Sequence, residues 1–163
     1  MVIILMGVSG VGKTTVGIAL AHALGWGFFD ADDFHPASNV KKMAAGQPLD
    51  AHDREPWLSA LNALIVRLLE QGEDAVLACS ALTERARQLL VQGTRPAQVR
   101  FVHLTGSPEL LRARLAGRTG HFMPPTLLTS QLGTLQTPPD ALRVDVSGTP
   151  EEVVGLIREG LGL

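Results

Sequence analysis

The segment with the clearest chemistry is a glycine-rich run that reads GVSGVGKT over residues 7–14. It matches the pattern of phosphate-binding loops, in which backbone N–H groups surround phosphate oxygens and a lysine reaches the β- and γ-phosphates. In this pattern Lys13 contacts the terminal phosphates of ATP and acts in catalysis, and the hydroxyl group of Thr14 binds Mg²⁺. The predicted ATP-binding residues of this segment are Gly7, Val8, Ser9, Gly10, Val11, Gly12, Lys13, Thr14 and Thr15.

Two acidic residues follow a short predicted strand, Asp30 at its end and Asp32 two positions later. Ligands of open α/β sheets bind at the carboxyl edge of the strands, and phosphoryl transfer needs a carboxylate near the metal. We therefore expect Asp30 to act with Thr14 at the Mg²⁺ site. Asp32 is the predicted catalytic base, which accepts the proton of the attacking hydroxyl group and holds that group in line with the γ-phosphoryl group.

The connection after these acids is unusually polar, with His35 and Asn39 ahead of Arg54. A bidentate cation suits a carboxylate and short polar side chains suit hydroxyl groups, so the stretch is typical of a site for a small polyhydroxylated anion. His35 and Arg54 are the predicted contacts to this acceptor substrate. Lys41 and Lys42 are predicted to be surface residues rather than members of the site.

Arginines precede and enter a segment rich in glycine and proline, which we interpret as a small lid over about residues 117–126. Phosphoryl transfer is favoured by positive charge on the phosphate oxygens and by exclusion of water. Arg114 and Arg118 are four positions apart and can share a helix face, so both are predicted to bind the nucleotide. Which of the two meets the γ-phosphate is left open.

The elements that must position these residues follow a regular alternation. Strand patterns occur at residues 2–6, 27–30, 75–79, 99–104 and 142–146. Helical patterns cover 13–24, 50–71 and 83–91, and two further helices begin with capping residues at Ser107 and Thr149. This alternation predicts a three-layer α/β/α fold with a five-stranded parallel sheet.

The length, charge and composition of the chain limit the number of domains and the kinds of partner that we expect. A chain of 163 residues, 45% apolar and 18% charged, fits a single domain over 1–163. Its 14 basic and 16 acidic side chains give a net charge of −2, which offers no general attraction to nucleic acid or to an anionic membrane. There is one cysteine, Cys79, and no apolar stretch near the ~18 residues needed to cross a bilayer. We expect a cytoplasmic protein without a nucleic-acid or membrane partner.

Longer motifs make the sequence similar to the gluconate kinases, or gluconokinases, a family of phosphate-loop kinases. The resemblance covers nearly the whole chain. It rests on MGVSGVGKTT at 6–15, DADDFHPASNVKKMAAGQPLD at 30–50, DREPWL at 53–58, CSAL at 79–82 and GHFMPPTLLTSQLGTLQTP at 120–138. The first motif occurs in many phosphate-loop proteins, whereas the second and the last are specific to this family.

The resemblance implies a fold like that of shikimate and nucleoside monophosphate kinases. It also implies that ATP and Mg²⁺ are used to phosphorylate D-gluconate at its 6-hydroxyl group, giving 6-phospho-D-gluconate and ADP. Carried over by position, it places Asp32 at the acceptor hydroxyl and His35 and Arg54 near the sugar acid. Arg118 and His121 match the lid motif, as a catalytic and a substrate-binding residue respectively. The family further implies a homodimer.

Some positions depart from the family pattern. Ala31 stands between Asp30 and Asp32 where the family has Gly, and Ala resists a positive φ. Thr83 replaces a usual Lys, which removes one positive charge near the expected site, and Ala86 replaces the Tyr of a Tyr-Arg pair. Two other functions stay open: a kinase for shikimate or another sugar acid, and a non-catalytic module that senses ATP or gluconate.

Overall fold

The computed structural model describes residues 1–117 and 125–163, and its centre is a parallel sheet. The strands are β1 (Val2–Met6), β2 (Gly27–Asp30), β3 (Ala75–Ala78), β4 (Val99–Thr105) and β5 (Leu142–Asp145). They pair in the order β2-β3-β1-β4-β5, and every pairing is parallel. The predicted five-stranded parallel sheet is confirmed.

Helices cover both faces of this sheet. They are α1 (Lys13–Leu24), α2 (Ala37–Ala44), α3 (Ala51–Glu70), α4 (Glu84–Leu90), α5 (Pro108–Ala116), α6 (Pro125–Thr134) and α7 (Pro150–Leu161). A 3₁₀ turn at Ala31–Phe34 and helix α2 lie in the polar connection, where the sequence pattern predicts no defined element. No helix in the described parts of the chain is long and apolar enough to span a bilayer.

The core consists of two layers that β1 separates. All five residues of β1 are fully buried, because alternate side chains point to opposite faces of a central strand. Ile3 and Leu5 belong to the layer under α1 and α7, and Ile4 and Met6 belong to the layer under α3 and α4. Burial on both faces explains why β1 is a continuous apolar run.

Helix α3 begins at Ala51 because Asp50 and Asp53 form a reciprocal capping box. The Asp53 backbone N–H donates to Asp50 Oδ1 at 2.8 Å, and the Asp50 N–H donates to Asp53 Oδ2 at 3.1 Å. Proline is ordinarily tolerated only in the first turn of a helix. Because α3 begins at Ala51, Pro56 lies beyond that turn and is an interior residue of the helix. The carbonyl group of His52, which loses a helical donor as a result, lies in an exposed turn.

Strand register brings three loops to one edge of the sheet. Leu5 near the end of β1 is in register with Ala78 at the end of β3, and Ala78 is also in register with Asp30 at the end of β2. The loops that follow these strands, at 7–12, 31–36 and 79–83, therefore start side by side. This edge carries most of the residues that the sequence singles out for chemistry.

Candidate active site

The glycine-rich loop joins β1 to α1 in a conformation that other residues do not adopt easily. Gly7 has a φ of 145°, and a Cβ atom at this position would lie 2.7 Å from the Leu104 carbonyl oxygen. Gly12, with a φ of 87°, is the N-cap of α1 and offers no side chain to cap the helix. The first N–H groups of α1 are therefore left to an anionic ligand, which the helix dipole also favours.

The side chain of Lys13 folds back over this loop. Its Nζ atom donates to the carbonyl oxygens of Gly7 at 3.0 Å and Val8 at 3.2 Å. The ammonium group therefore lies above the loop whose N–H groups form the predicted phosphate cradle, where it can reach terminal phosphates.

A chain of hydrogen bonds joins the loop to the acidic turn after β2. Thr14 Oγ1 donates to Asp30 Oδ2 at 2.8 Å, and the Asp32 backbone N–H donates to Asp30 Oδ1 at 3.0 Å. The structure thus brings Thr14, Asp30 and Asp32 together, as predicted. A hydroxyl group beside a carboxylate is an oxygen donor set that fits Mg²⁺, which usually keeps several waters and needs few protein ligands. In the described residues, no cluster of three or more His, Cys, Asp or Glu side chains could hold a metal ion.

The carboxylate of Asp32 lies in the 3₁₀ turn after β2, next to Asp30. The Asp32 side chain is 88% accessible, but protein atoms around its carboxylate displace part of the surrounding water. This desolvation raises the pKa of Asp32 above its ordinary value. The neighbouring charge of Asp30 raises it further. His35 and Lys13 act in the opposite direction, since both favour the ionised carboxylate. Asp32 is therefore a stronger base than an ordinary exposed aspartate.

His35 is held from two sides beside Asp32. Its ring stacks on Trp57, with centroids 4.4 Å apart and planes inclined by 13°, and its side chain is only 7% exposed. Asn39 Nδ2 donates to the Asp53 carbonyl oxygen at 2.8 Å and lies 3.3 Å from His35 Nδ1. An amide nitrogen can only donate, so His35 Nδ1 accepts and carries no proton.

The remaining ring nitrogen of His35, Nε2, carries the proton and lies 3.9 Å from Asp32 Oδ1. Burial lowers the pKa of His35, and the charge of Asp32 only partly offsets this effect. His35 is thus a neutral N–H donor directed toward the predicted acceptor site.

Trp57 also fixes the backbone of the acidic turn. Its Nε1 atom donates to the Ala31 carbonyl oxygen at 2.7 Å in a buried setting. Among the described residues, Ala81 alone has a positive φ without being glycine, so Ala31 is not in that region. The Ala31 departure from the family pattern is therefore accommodated without backbone strain.

Two basic residues near the first turn of α3, Lys42 and Arg54, have different partners. Lys42 Nζ contacts both carboxylate oxygens of Asp53 at 2.7 Å, and this hydrogen bond holds the pKa of Asp53 below its ordinary range. Lys42 is thus a structural partner at the partly exposed surface. Arg54 lies beside this pair on the exposed face, and its side chain has no hydrogen-bond or ion-pair partner within residues 1–117 and 125–163. It is available to bind an anion.

The turn after β3 is held in a strained conformation next to the phosphate loop. Ala81 has a φ of 44° and is 3% exposed. The Gly7 N–H donates to the Ser80 carbonyl oxygen at 3.3 Å, and Arg87 Nη1 donates to the Ala81 and Leu82 carbonyl oxygens at 3.0 and 3.2 Å. Contacts on both sides of Ala81 therefore maintain a backbone state that costs energy.

The two substituted family positions near this turn have structural partners. Thr83, where the family has Lys, is the N-cap of α4 and accepts from the Ala86 N–H at 3.2 Å. Ala86 packs against the core layer under α3 and α4. The arginine of the family's Tyr-Arg pair is kept as Arg87 and is 8% exposed.

Arg114 lies at the other end of the phosphate loop, beside a cavity of about 390 Å³. Its Nη2 atom donates to the Val146 carbonyl oxygen at 2.6 Å, and its Nη1 atom donates to the Val11 carbonyl oxygen at 3.4 Å. The cavity is lined by Gly10, Val11, Gly12, Thr15, Val16, Ala113, Arg114, Gly117, Val146, Gly148, Pro150 and Val153. Its size and mixed lining suit a nucleoside.

Two predicted site residues, Arg118 and His121, and most of the predicted lid lie outside the described residues. α5 ends at Ala116, with Gly117 as its C-cap. The predicted pairing of Arg114 with Arg118 therefore lies outside the described residues as well.

Two buried titratable groups near this edge do not contribute reactive chemistry. Burial raises the pKa of the Cys79 thiol to about 12, so Cys79 is not a nucleophile and serves as a small core residue. His103 is 3% exposed, and burial lowers its pKa, so its ring is neutral within β4.

Some residues that support the site were not predicted from the sequence. Trp57 and Arg87 donate hydrogen bonds to backbone carbonyl groups of loops that border the site. Gln131 on α6 accepts from the Ser9 N–H of the phosphate loop at 2.7 Å. Trp57 and Gln131 lie in the DREPWL and TSQLGTLQ stretches, so the family motifs signalled their positions but not their contacts.

Comparison with known proteins agrees with this geometry. A family model described as an AAA domain matches residues 2–137. A probable gluconokinase of Xenopus tropicalis is 48% identical over 151 residues, which cover 85% of this chain and 80% of that protein. The gluconokinase of Gluconobacter oxydans is 44% identical, covering 93% of this chain and 86% of that protein. The crystal structure of a gluconokinase from Sinorhizobium meliloti matches with a TM-score of 0.85 at 42% identity, covering 98% of this chain and 90% of that chain.

Proposed function

The chain belongs to the AAA-domain family matched above and, within it, to the gluconokinases, and from this premise we propose how it transfers the γ-phosphoryl group of ATP to D-gluconate. The family resemblance read from the sequence motifs is confirmed. The chain is a kinase that phosphorylates gluconate with ATP, and the 6-hydroxyl group is the acceptor that we assign.

One observation carries the mechanism: the hydrogen-bonded chain from Thr14 through Asp30 to Asp32. Thr14 directly follows the lysine of the phosphate loop, and Asp32 is the basic carboxylate of the acidic turn. These hydrogen bonds therefore support a nucleotide site and an acceptor site that share one cleft, as direct phosphoryl transfer requires.

In the proposed reaction, Asp32 accepts the proton of the 6-hydroxyl group of gluconate. The hydroxyl oxygen forms a bond to the γ-phosphorus, and the bond between that phosphorus and the bridging oxygen of ADP breaks. Lys13 and the N–H groups at the start of α1 neutralise charge on the phosphate oxygens. The proton on Asp32 then passes to solvent. The raised pKa of Asp32 supports its role as the proton acceptor.

Mg²⁺ belongs to the proposal because the hydroxyl group of Thr14 and the carboxylate of Asp30 fit it. When bound, the ion neutralises phosphate charge. Thr14 would supply a direct oxygen ligand, and Asp30 would hold coordinated water.

The acceptor is held by groups just before α2 and in α3 in this proposal. His35 donates its Nε2 proton to a hydroxyl oxygen beside Asp32, and Arg54 pairs with the carboxylate. His121 contacts the sugar acid and Arg118 neutralises the transferring phosphoryl group, both on the basis of the family motif alone. A homodimer and a cytoplasmic location are part of the same proposal, supported by the family resemblance and by the need for ATP.

A panel of acceptors tests the function. Purified protein is incubated with ATP, Mg²⁺ and gluconate, shikimate or other aldonic acids, while ADP release and product mass are measured. We expect a phosphate ester of gluconate whose fragmentation places the phosphate on carbon 6. Ester formation with shikimate but not gluconate would reassign the substrate. Nucleotide binding without any ester would favour the sensing module.

A further inference from the structure

Helix α6 contacts the phosphate loop through the polar side chain of Gln131. Gln131 Oε1 accepts from the Ser9 backbone N–H at 2.7 Å, across 122 positions of sequence. Ser9 lies in the loop between Gly7 and Gly10, where N–H groups that turn inward are the donors for phosphate oxygens. A neutral carbonyl group from α6 therefore takes up the Ser9 N–H and fixes the backbone of the loop whose other N–H groups form the predicted cradle.

Contacts on either side of Gln131 hold α6 in place. Leu128, one turn earlier on α6, is 2% exposed in the core layer under α1 and α7. Just beyond the helix, the Gln136 N–H donates to the Leu82 carbonyl oxygen at 2.9 Å, and Gln136 Oε1 accepts from the Glu84 N–H at 2.7 Å. The buried Leu128 side chain and the Gln136 backbone N–H anchor α6 at both ends of the contact without the help of the Gln136 side chain, which makes Gln131 a fixed acceptor.

The absence of charge on Gln131 matters at this location. Its Nε2 atom lies within about 5 Å of the Ser9 nitrogen, because the two ends of a carboxamide are only about 2.3 Å apart. A carboxylate in its place would keep the bond to the Ser9 N–H but would bring a negative charge to a loop that holds polyphosphate. A neutral acceptor fixes the loop without repelling the nucleotide.

We propose that Gln131 is a positioning residue for phosphoryl transfer, which holds the Ser9 N–H and thereby orients the phosphate loop for the nucleotide. This inference rests on the nucleotide-binding part of the proposed function. Gln131 acts through Ser9, and its neutral carboxamide is the feature required.

Two variants separate the hydrogen bond from the charge. Gln131→Met keeps the length of the side chain but loses the acceptor, and Gln131→Glu keeps the acceptor but adds a charge. The Kd of ATP is measured by calorimetry without any acceptor substrate, followed by kcat and KM. We expect Gln131→Met to lose about tenfold in kcat/KM for ATP, the size of effect expected for one hydrogen bond. We expect Gln131→Glu to raise the Kd of ATP by about tenfold more than Gln131→Met does. This excess should shrink at high salt.

Gln136→Met is the matched control, since Gln136 makes the same kind of bond to a backbone N–H outside the phosphate loop. It should leave the Kd of ATP unchanged, even if its melting temperature falls as much as that of Gln131→Met. Equal Kd values for all three variants and the wild-type protein would overturn the inference, as would equal increases in the Kd of the two Gln131 variants and Gln136→Met. If Gln131→Met does not fold, Gln131→Glu against Gln136→Met decides alone. Because binding is measured without gluconate, a wrong acceptor assignment leaves this test intact.

Discussion

The phosphate loop takes its backbone path from its own glycines and from Lys13, with long-range contacts such as that of Gln131 added to it, whereas the acceptor side takes its shape from contacts between separate elements. Lys13 bonds to carbonyl groups five and six positions away. On the acceptor side, Trp57 holds Ala31 across 26 positions, and Asn39 holds Asp53 across 14. The first region is therefore a transferable motif, and the second depends on how α2 and α3 pack in this chain.

This difference predicts that changes on the two sides have separable effects. A change in the phosphate loop should affect ATP, and a change on the acceptor side should affect gluconate while ATP still binds. The hydrogen bonds of Asp30 mark the point at which the two regions meet.

The largest expected effect is that of Asp32→Asn. Loss of the proton acceptor should lower kcat by about 10³-fold, within the range known for general bases, while the Kd of ATP stays close to that of the wild-type protein. The melting temperature should not fall, because the raised pKa shows that the ionised carboxylate is disfavoured in the folded protein. Steady-state kinetics, calorimetry and thermal unfolding measure the three quantities. Near-normal turnover would remove Asp32 from the mechanism.

The pH dependence of the wild-type enzyme provides an independent check on Asp32. The carboxylate must be ionised to accept a proton, so kcat/KM for gluconate should fall as the pH falls through the raised pKa. The fall should begin at a higher pH than for an ordinary aspartate, whose pKa is about 3.9. A pH series with ATP saturating measures it, and the residual activity of Asp32→Asn should not show this limb.

On the nucleotide side, Lys13→Ala should lower kcat by about 10²-fold and also weaken ATP binding, because the ammonium group contacts both the ground state and the transition state. The KM for gluconate should change little. Unchanged kinetics for ATP would refute the role of Lys13, and a selective effect on gluconate would contradict the separation of the two sides.

Trp57→Phe removes a hydrogen bond that supports the acceptor side, at a residue that contacts no substrate in the proposed reaction. It keeps an aromatic ring under His35 but leaves the Ala31 carbonyl group without its donor, at a cost of about 1–2 kcal/mol. The acidic turn should become less ordered, so the KM for gluconate should rise by about five- to tenfold while the Kd of ATP is unchanged. An equal loss of affinity for both substrates would show that the turn supports the whole cleft.

The smallest effect is expected at the turn after β3. Ala81→Gly relieves the strain of a φ of 44° but loses a buried methyl group and gains chain entropy, so the stability should change by less than about 0.5 kcal/mol. Ala78→Gly in β3, at 2% exposure, is the matched control and should cost about 1.5 kcal/mol because it relieves no such strain. Denaturant unfolding compares the two. Equal costs would mean that Ala81 stores no strain.

The sequence determined the parallel sheet, the phosphate loop and the acids at the end of β2, because each depends on residues that are neighbours in the chain. A buried central strand needs a continuous apolar run, and a loop with positive φ angles needs glycine. The pattern GVSGVGKT could therefore be recognised before any tertiary contact was known.

Tertiary structure alone decided how the acceptor side and α6 support that chemistry. The protonated nitrogen of His35 follows from Asn39, the strained turn at Ala81 follows from Arg87, and the direction of the Ser9 N–H follows from Gln131. Each of these contacts joins groups on different elements, and their geometry exists only after the helices have packed on the sheet. A residue's type and spacing can indicate such partners, but only packing determines which donor meets which acceptor.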